Sequence, residues 1–263
     1  MNCKFFIFFI ILNIFLSEND KNKIIISLSC NEENIKDLHK VIYLILDQNI
    51  EKTLYKILII LDKRINKKLK LYKEILFLFN LKIIRAIFIN NKINLQTRLL
   101  FAMNEYPMNA ILIISPYILF PEGWLEMLMN DHKKYPKDII SSSIQYYFGH
   151  NLTINELSEG YKGKFFGTFN HISNMIFNFA IINADLGGTL YPSGIFKNKF
   201  FFNIKLFLNI SKESDEFWQS CFIIMEEKIL RQSSKIYDYT EYLINNQTLI
   251  KKKKNLKQLK KNL

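Results

Sequence analysis

Two acids open a helical stretch at Glu213-Ser214-Asp215-Glu216-Phe217-Trp218, and a turn sequence lies upstream, Asp185-Leu186-Gly187-Gly188-Thr189-Leu190-Tyr191-Pro192-Ser193-Gly194. A carboxylate beside a large aromatic can have its proton affinity raised into a range useful for general-base work, so Asp215 and Glu216 are candidates for taking a proton from an attacking hydroxyl. They could equally complement the positive end of a helix. The paired glycines, Gly187 and Gly188, allow backbone to pass close to a neighbour or ligand, and Tyr191 offers a ring for stacking on a flat apolar face. Three of the eight glycines fall in this short stretch, and none precedes Gly123. No glycine-rich phosphate cradle therefore follows any early strand, which excludes Rossmann dinucleotide and P-loop chemistry.

Histidines and cysteines add little chemistry. His39, His132, His150 and His171 show no metal-ligand spacing with cysteines or acids. Downstream of the leader only Cys30 and Cys221 remain, too few for a disulfide framework, and two separate buried thiols are expected.

The elements that position these residues follow from apolar spacing. Continuous apolar runs at Ile24–Leu28, Ile57–Leu61, Ile83–Phe88 and Ala110–Ile114 read as strands buried on both faces. Between them lie helical stripes: Leu38, Val41, Ile42 and Ile45; then Leu69, Tyr72, Leu76 and Phe79; then Leu99, Ala102, Met103 and Tyr106. A further helix starts with Pro121 in its first turn and carries Trp124, Leu125, Leu128 and His132. This alternation predicts an α/β domain with a mostly parallel sheet flanked by helices. Ligands in such folds gather at the carboxyl ends of strands, here Ser29-Cys30-Asn31, Asp62-Lys63-Arg64, Asn90-Asn91-Lys92 and Ser115-Pro116-Tyr117. After Ile139-Ile140-Ser141 aromatics and glycines crowd in from Tyr146 to Gly167, which reads as a loop-rich wall over the sheet.

The chain divides into three regions. Residues 1–20 hold an apolar run from Phe5 to Leu16 broken only by Asn13, which reads as a signal peptide or a short membrane anchor. Residues 21–240 form the expected domain. Residues 241–263 are a basic tail; its seven lysines, from Lys251 to Lys261, supply seven of the twelve net positive charges, so all other groups together carry a mild +5. Such a tail suits an anionic membrane surface; with no interleaved aromatics and no recognisable nucleic-acid module, nucleic acid is not an expected partner. Sequons at Asn151, Asn209 and Asn246 are compatible with a lumenal chain in the ER or Golgi, or a secreted one.

The order of motifs resembles GT-A-fold glycosyltransferases related to family 2. The matching segments are Thr97-Arg98-Leu99, Tyr106-Pro107, Phe120-Pro121-Glu122-Gly123-Trp124-Leu125, Gly187-Gly188-Thr189-Leu190-Tyr191-Pro192-Ser193-Gly194 and Asp215-Glu216-Phe217-Trp218, spread from Lys23 to Gln232. The resemblance implies a nucleotide-diphospho-sugar transferase fold, a nucleotide-sugar donor, a glycan, protein or lipid acceptor, and a divalent ion, Mn or Mg. It places Asp215 or Glu216 as base, with Asp215 at the first acidic position of its motif, and Gly187, Gly188, Tyr191 and Trp218 at donor or acceptor. Where the family carries its metal-binding Asp-x-Asp element, this chain reads Ser115-Pro116-Tyr117, which offers no hard carboxylate to a metal. Charge on a leaving diphosphate would then fall to Arg98, Lys92 or Arg64. Asp62, ending a strand, and Asp185 are the carboxylates that could restore a metal site in three dimensions. Two readings follow: a degenerate, non-catalytic transferase-like protein, or an active metal-independent transferase.

Overall fold

The computed structural model describes residues 23–32, 34–66, 72–89, 97–142, 144–148, 179–183, 187–211 and 215–235. The leader at 1–20, Leu69, Lys92, His150, His171, Asp185, Glu213, the sequons at Asn151 and Asn246, the Gly160–Gly167 stretch and the lysine tail lie outside these residues.

Among the described residues nine strands are formed: β1 (Ile24–Cys30), β2 (Tyr55–Asp62), β3 (Ile84–Ile89), β4 (Ile111–Ile113), β5 (Ile139–Ser141), β6 (Ile144–Phe148), β7 (Phe179–Asn183), β8 (Thr189–Tyr191) and β9 (Leu230–Gln232). The helices are α1 (Ile35–Leu46), the single turn α2 (Lys63–Asn66), α3 (Lys73–Asn80), α4 (Arg98–Glu105), α5 (Trp124–Lys134), α6 (Ile204–Ile210) and α7 (Asp215–Met225). Seven strands make one sheet in the order β3-β2-β1-β4-β8-β5-β9. Strands β3, β2, β1 and β4 are mutually parallel, β5 and β9 are parallel, and β8 runs antiparallel to both β4 and β5.

The strand faces explain the continuous apolar runs. Along β1, Ile24, Ile26 and Leu28 pack with Leu38, Val41, Ile42 and Ile45 of α1, and with Trp124, Leu125 and Leu128 of α5. Ile25, on the opposite face, packs with Leu99, Ala102 and Met103 of α4 and with an aromatic group that includes Phe201, Phe207, Trp218 and Phe222. Both faces are dry, so alternation is invisible in the sequence.

Three expectations need correction. The buried residues of α3 are Ile75 and Leu78, with Tyr72 and Phe79 only partly covered, so the helix is turned from the stripe read through Leu76. Helix α5 starts after Pro121: Gly123, in the left-handed conformation at φ 73, is its N-cap. The supposed loop-rich wall contains β6, paired antiparallel with β7 as a separate two-stranded sheet.

The double glycine is half turn and half strand entry. Gly187 and Gly188 have φ of 89 and 91, and β8 begins at the next residue. A Cβ on Gly188 would meet the carbonyl oxygen of Ile113 and the side chain of Ile114, each at 3.1 Å. The Gly187 carbonyl accepts the indole N–H of Trp124 at 2.6 Å, and the Gly188 carbonyl accepts the Ser142 N–H at 3.0 Å. Substituting Gly188→Ala therefore adds backbone strain and a clash with a backbone that cannot yield; a loss of about 2–3 kcal/mol in urea unfolding is expected, against a near-neutral effect of Ser193→Ala on the exposed turn beyond.

Candidate functional site

The chain runs outward from β1 through α1 to β2 and β3, then returns by α4 on the other face to β4, on the far side of β1. Reversal of strand order opens a crevice at the carboxyl ends of β1 and β4, the general ligand position in open α/β sheets. Four groups border it.

After β1, Asn31 and Asn34 bond reciprocally, with Asn31 N–H to Asn34 Oδ1 at 2.8 Å and Asn34 N–H to Asn31 Oδ1 at 3.2 Å. The Cys30 thiol also donates to Asn34 Oδ1, at 2.6 Å. Burial pushes this thiol far above its ordinary range, so it is no thiolate nucleophile. Cys30 and Cys221 are both free thiols.

After β2, the buried carboxylate of Asp62 accepts from Arg64: backbone N–H at 2.8 Å, Nε at 3.0 Å and Nη2 at 2.5 Å. The side-chain hydrogen bond from Arg64 is the main reason its pKa lies below the ordinary carboxylate range.

After β4, Ser115 and Pro116 are buried and Tyr117 is half-buried, its N–H directed to Ser115 Oγ at 3.4 Å. No carboxylate comes from this segment.

The fourth group is Arg98, the first residue of α4 and only 5% exposed. Its Nη1 donates to the carbonyl of Ile114 at 3.1 Å, and its Nε lies 3.4 Å from Asp215 Oδ2. Asp215, the first residue of α7, is 3% exposed. Gln219, one helical turn on, donates from Nε2 to the same oxygen at 3.4 Å and accepts the Tyr191 hydroxyl at Oε1 at 2.5 Å. The structure thus joins Arg98 and Asp215 in a buried ion pair extended by Gln219 and Tyr191 to β8.

This placement alters the roles open to several residues. The Asp215 carboxylate is buried and held by a guanidinium, so no acceptor hydroxyl reaches it in this arrangement. Tyr191 is fully buried, and its ring cannot stack on a sugar. Trp218 is buried too, its indole N–H given to the Phe201 carbonyl at 3.1 Å and its ring set against Phe207 and Phe222. Gly187 and Gly188 face β4 and α5. Arg98 and Asp62 do border the crevice. Arg64, held to Asp62, leaves most of its side chain exposed. Glu216 follows Asp215 in α7; its side chain and Lys92 lie outside the described residues.

A divalent ion does not fit this donor set. The end of β4 presents a serine, a proline and a guanidinium where oxygen anions would be needed, and Asp62 is already held by Arg64. Among the described residues no group of three or more His, Cys, Asp or Glu is assembled to hold a metal.

Sequence reasoning missed Gln219, the Ile114 carbonyl and the Trp124–Gly187 bond. Gln219 was detectable in principle, since a residue four on from Asp215 shares its helix face.

The strand order, with a parallel half and one antiparallel insertion, decides the fold. The chain has a GT-A-type fold. Residues 1–349 of S. aureus TarS, a GT-A-type glycosyltransferase, superpose with a TM-score of 0.55 at 11% identity, over 82% of this chain and 59% of that one. The same fragment in complex with UDP gives 0.56 at 11% identity over the same shares. In complex with UDP-GlcNAc it gives 0.54 at 11% identity, over 82% and 57%. This chain therefore spans less than two thirds of the length of those structures. At this identity the likeness is one of fold, that of nucleotide-sugar-utilising transferases. No known family and no curated protein matches the sequence.

Removing one member of a buried pair strands the other charge, at a typical cost of about 3–5 kcal/mol, whereas replacing both by apolar groups is often near neutral. Arg98→Met and Asp215→Leu should each destabilise by about that amount, and the double variant should recover most of the loss, read in a double-mutant cycle of urea unfolding. For Asp62 the carboxyl pKa is depressed in the fold, so its contribution is present above the unfolded value near about 4 and is lost as pH falls through the lower folded value. Asp62→Asn should accordingly be less stable than wild type at pH 6, with the gap closing toward pH 2.

Proposed function

We propose that this protein is a glycosyltransferase-like member of the secretory pathway that keeps a nucleotide-sugar transferase fold without metal-dependent sugar transfer. The observation that carries this reading is the buried Arg98–Asp215 pair, which fills the end of β4 with a guanidinium and commits the candidate base to it. A transferase needs positive potential at the departing diphosphate and a carboxylate free to take a proton. Here the first is bound to Ile114 and the second is neutralised. The location in the secretory pathway rests on the apolar run from Phe5 to Leu16, followed by Ser17-Glu18-Asn19-Asp20.

A second reading is favoured by the same guanidinium. Arg98 sits in the crevice where a leaving diphosphate would lie, and a cation can stabilise that charge without a metal. A metal-independent transferase would require the pair to open on donor binding, passing Arg98 to the diphosphate and freeing Asp215 for an acceptor hydroxyl of a glycan, protein or lipid.

The test uses the full chain made in a secreting host. Recovery in the cytosolic fraction would overturn the location. Calorimetry with UDP, other nucleoside diphosphates and UDP-GlcNAc, with and without manganese, followed by a sugar-release assay, addresses the chemistry. The expected result is no effect of manganese on affinity and no sugar release. A tenfold or greater gain with manganese would overturn the reading, and release without metal that Asp215→Asn abolishes would establish the second one.

A further inference from the structure

A pocket of about 280 Å³ lies at the opposite pole of the sheet from the crevice. It forms where strands begin instead of where they end: Lys23 leads into β1, Leu54 into β2 and Met108 into β4. His132 and Lys133 come from the last turn of α5, and Ser193 from the turn after the antiparallel β8. Nothing in the crevice's machinery reaches it.

The lining is apolar in its floor and basic at its edge. Two lysines and a histidine line it, and no aspartate or glutamate does. The nearest acids along the same elements are committed elsewhere: Asp131 Oδ2 accepts the Ser234 N–H at 2.8 Å, and Asp138 Oδ2 accepts from Arg231 at 2.6 and 2.8 Å. Basic residues in a last helical turn complement the helix dipole, which accounts for their presence on α5. It does not account for a concavity between two of them and an apolar floor.

Two further features point to a ligand. Met108 is 67% exposed at the mouth, a flexible apolar side chain left in water beside a hollow it could close upon. His132 has a buried Nδ1 with no hydrogen-bond partner, a polar group whose desolvation the described chain does not offset. Burial lowers the proton affinity of that ring. A negative charge placed beside the ring would favour its protonated form.

We propose that this pocket binds a small anionic amphiphile, a phosphate or carboxylate head carried on a short apolar chain, independently of the crevice. Lysine stems lie along apolar surface while their ammonium groups stay at the wet edge, so the head is held at the rim and the first carbons enter the floor. The volume is just below the roughly 300–1,000 Å³ of pockets for drug-sized ligands, so only the head-proximal part of a longer chain is enclosed.

The test is calorimetric titration of the full chain with decyl phosphate and decanoate below their micellar concentrations, with inorganic phosphate and decanol as the separated halves. The expected result is saturable binding of at least one amphiphile, at least tenfold tighter than either half; whichever head wins identifies the class. Met108→Glu and Lys133→Glu alter exposed positions and should leave the unfolding midpoint unchanged while weakening binding at least tenfold. The proposal is overturned by absence of saturation up to millimolar amphiphile, by phosphate or decanol binding as tightly as the whole, or by both variants binding like wild type.

Discussion

The architecture depends on β8, three residues inserted antiparallel between two parallel groups of strands. No other strand connects β4 to β5 in the sheet order, so the four-stranded half and the β5–β9 pair are one sheet only because β8 fits between them. That fit has a steric condition: the backbone at Gly188 runs so close to Ile113 and Ile114 that a methyl group has no room, at a φ that disfavours one anyway. Trp124 fixes the preceding carbonyl from the α5 side, and the Thr189 and Ser141 hydroxyls meet at 3.0 Å across β8 and β5. The strand then delivers Tyr191 to Gln219, which ties the sheet's central joint to the ion pair in the crevice.

That ion pair inverts the electrostatics the fold was expected to carry. A metal site gathers carboxylates whose mutual repulsion is relieved by the ion. Here the same place holds one guanidinium whose partners are a backbone carbonyl and one carboxylate, supported by an amide. Burying a charge pair brings little net stability relative to apolar residues, yet breaking it is costly, because the surviving charge has no water to return to. Opening Arg98 toward a diphosphate would require the incoming charge to replace Asp215 almost stoichiometrically. The network is therefore a structural tie between α4 and α7.

Much of the scaffold was legible because of how parallel strands are covered. β1 and β2 are dry on both faces, so they appear as unbroken apolar runs, and the α1 and α4 stripes match their buried faces. The misses share a cause in non-local pairing. Strands β8 and β9 are three residues long and polar in part, too short to carry a period, and they exist through neighbours distant in the chain. The rotation of α3 was illegible for another reason: Ile75, Leu76, Phe77, Leu78 and Phe79 are apolar all round, so no stripe marks the inner face. At the site, Arg98, Asp62 and Asp215 stood out as single residues. Their pairing did not: that Asp215 meets Arg98, and Asp62 meets Arg64, is a matter of which charges the fold brings together, which residue type and spacing cannot reveal.

The way these sites are satisfied bears on whether chemistry survives. Active sites as a rule keep polar groups under strain or with unmet bonding, because a group already at its electrostatic minimum has little left to offer a transition state. In this crevice the candidate groups have met one another: Asp62 with Arg64, Arg98 with Asp215 and Ile114, Gln219 with Tyr191. With Ser115 and Pro116 at the end of β4, an arginine there would lack a counter-charge unless a carboxylate closed on it, and α7 supplies that carboxylate at its first residue. At the far pole, the buried Nδ1 of His132 has no hydrogen-bond partner among the described residues.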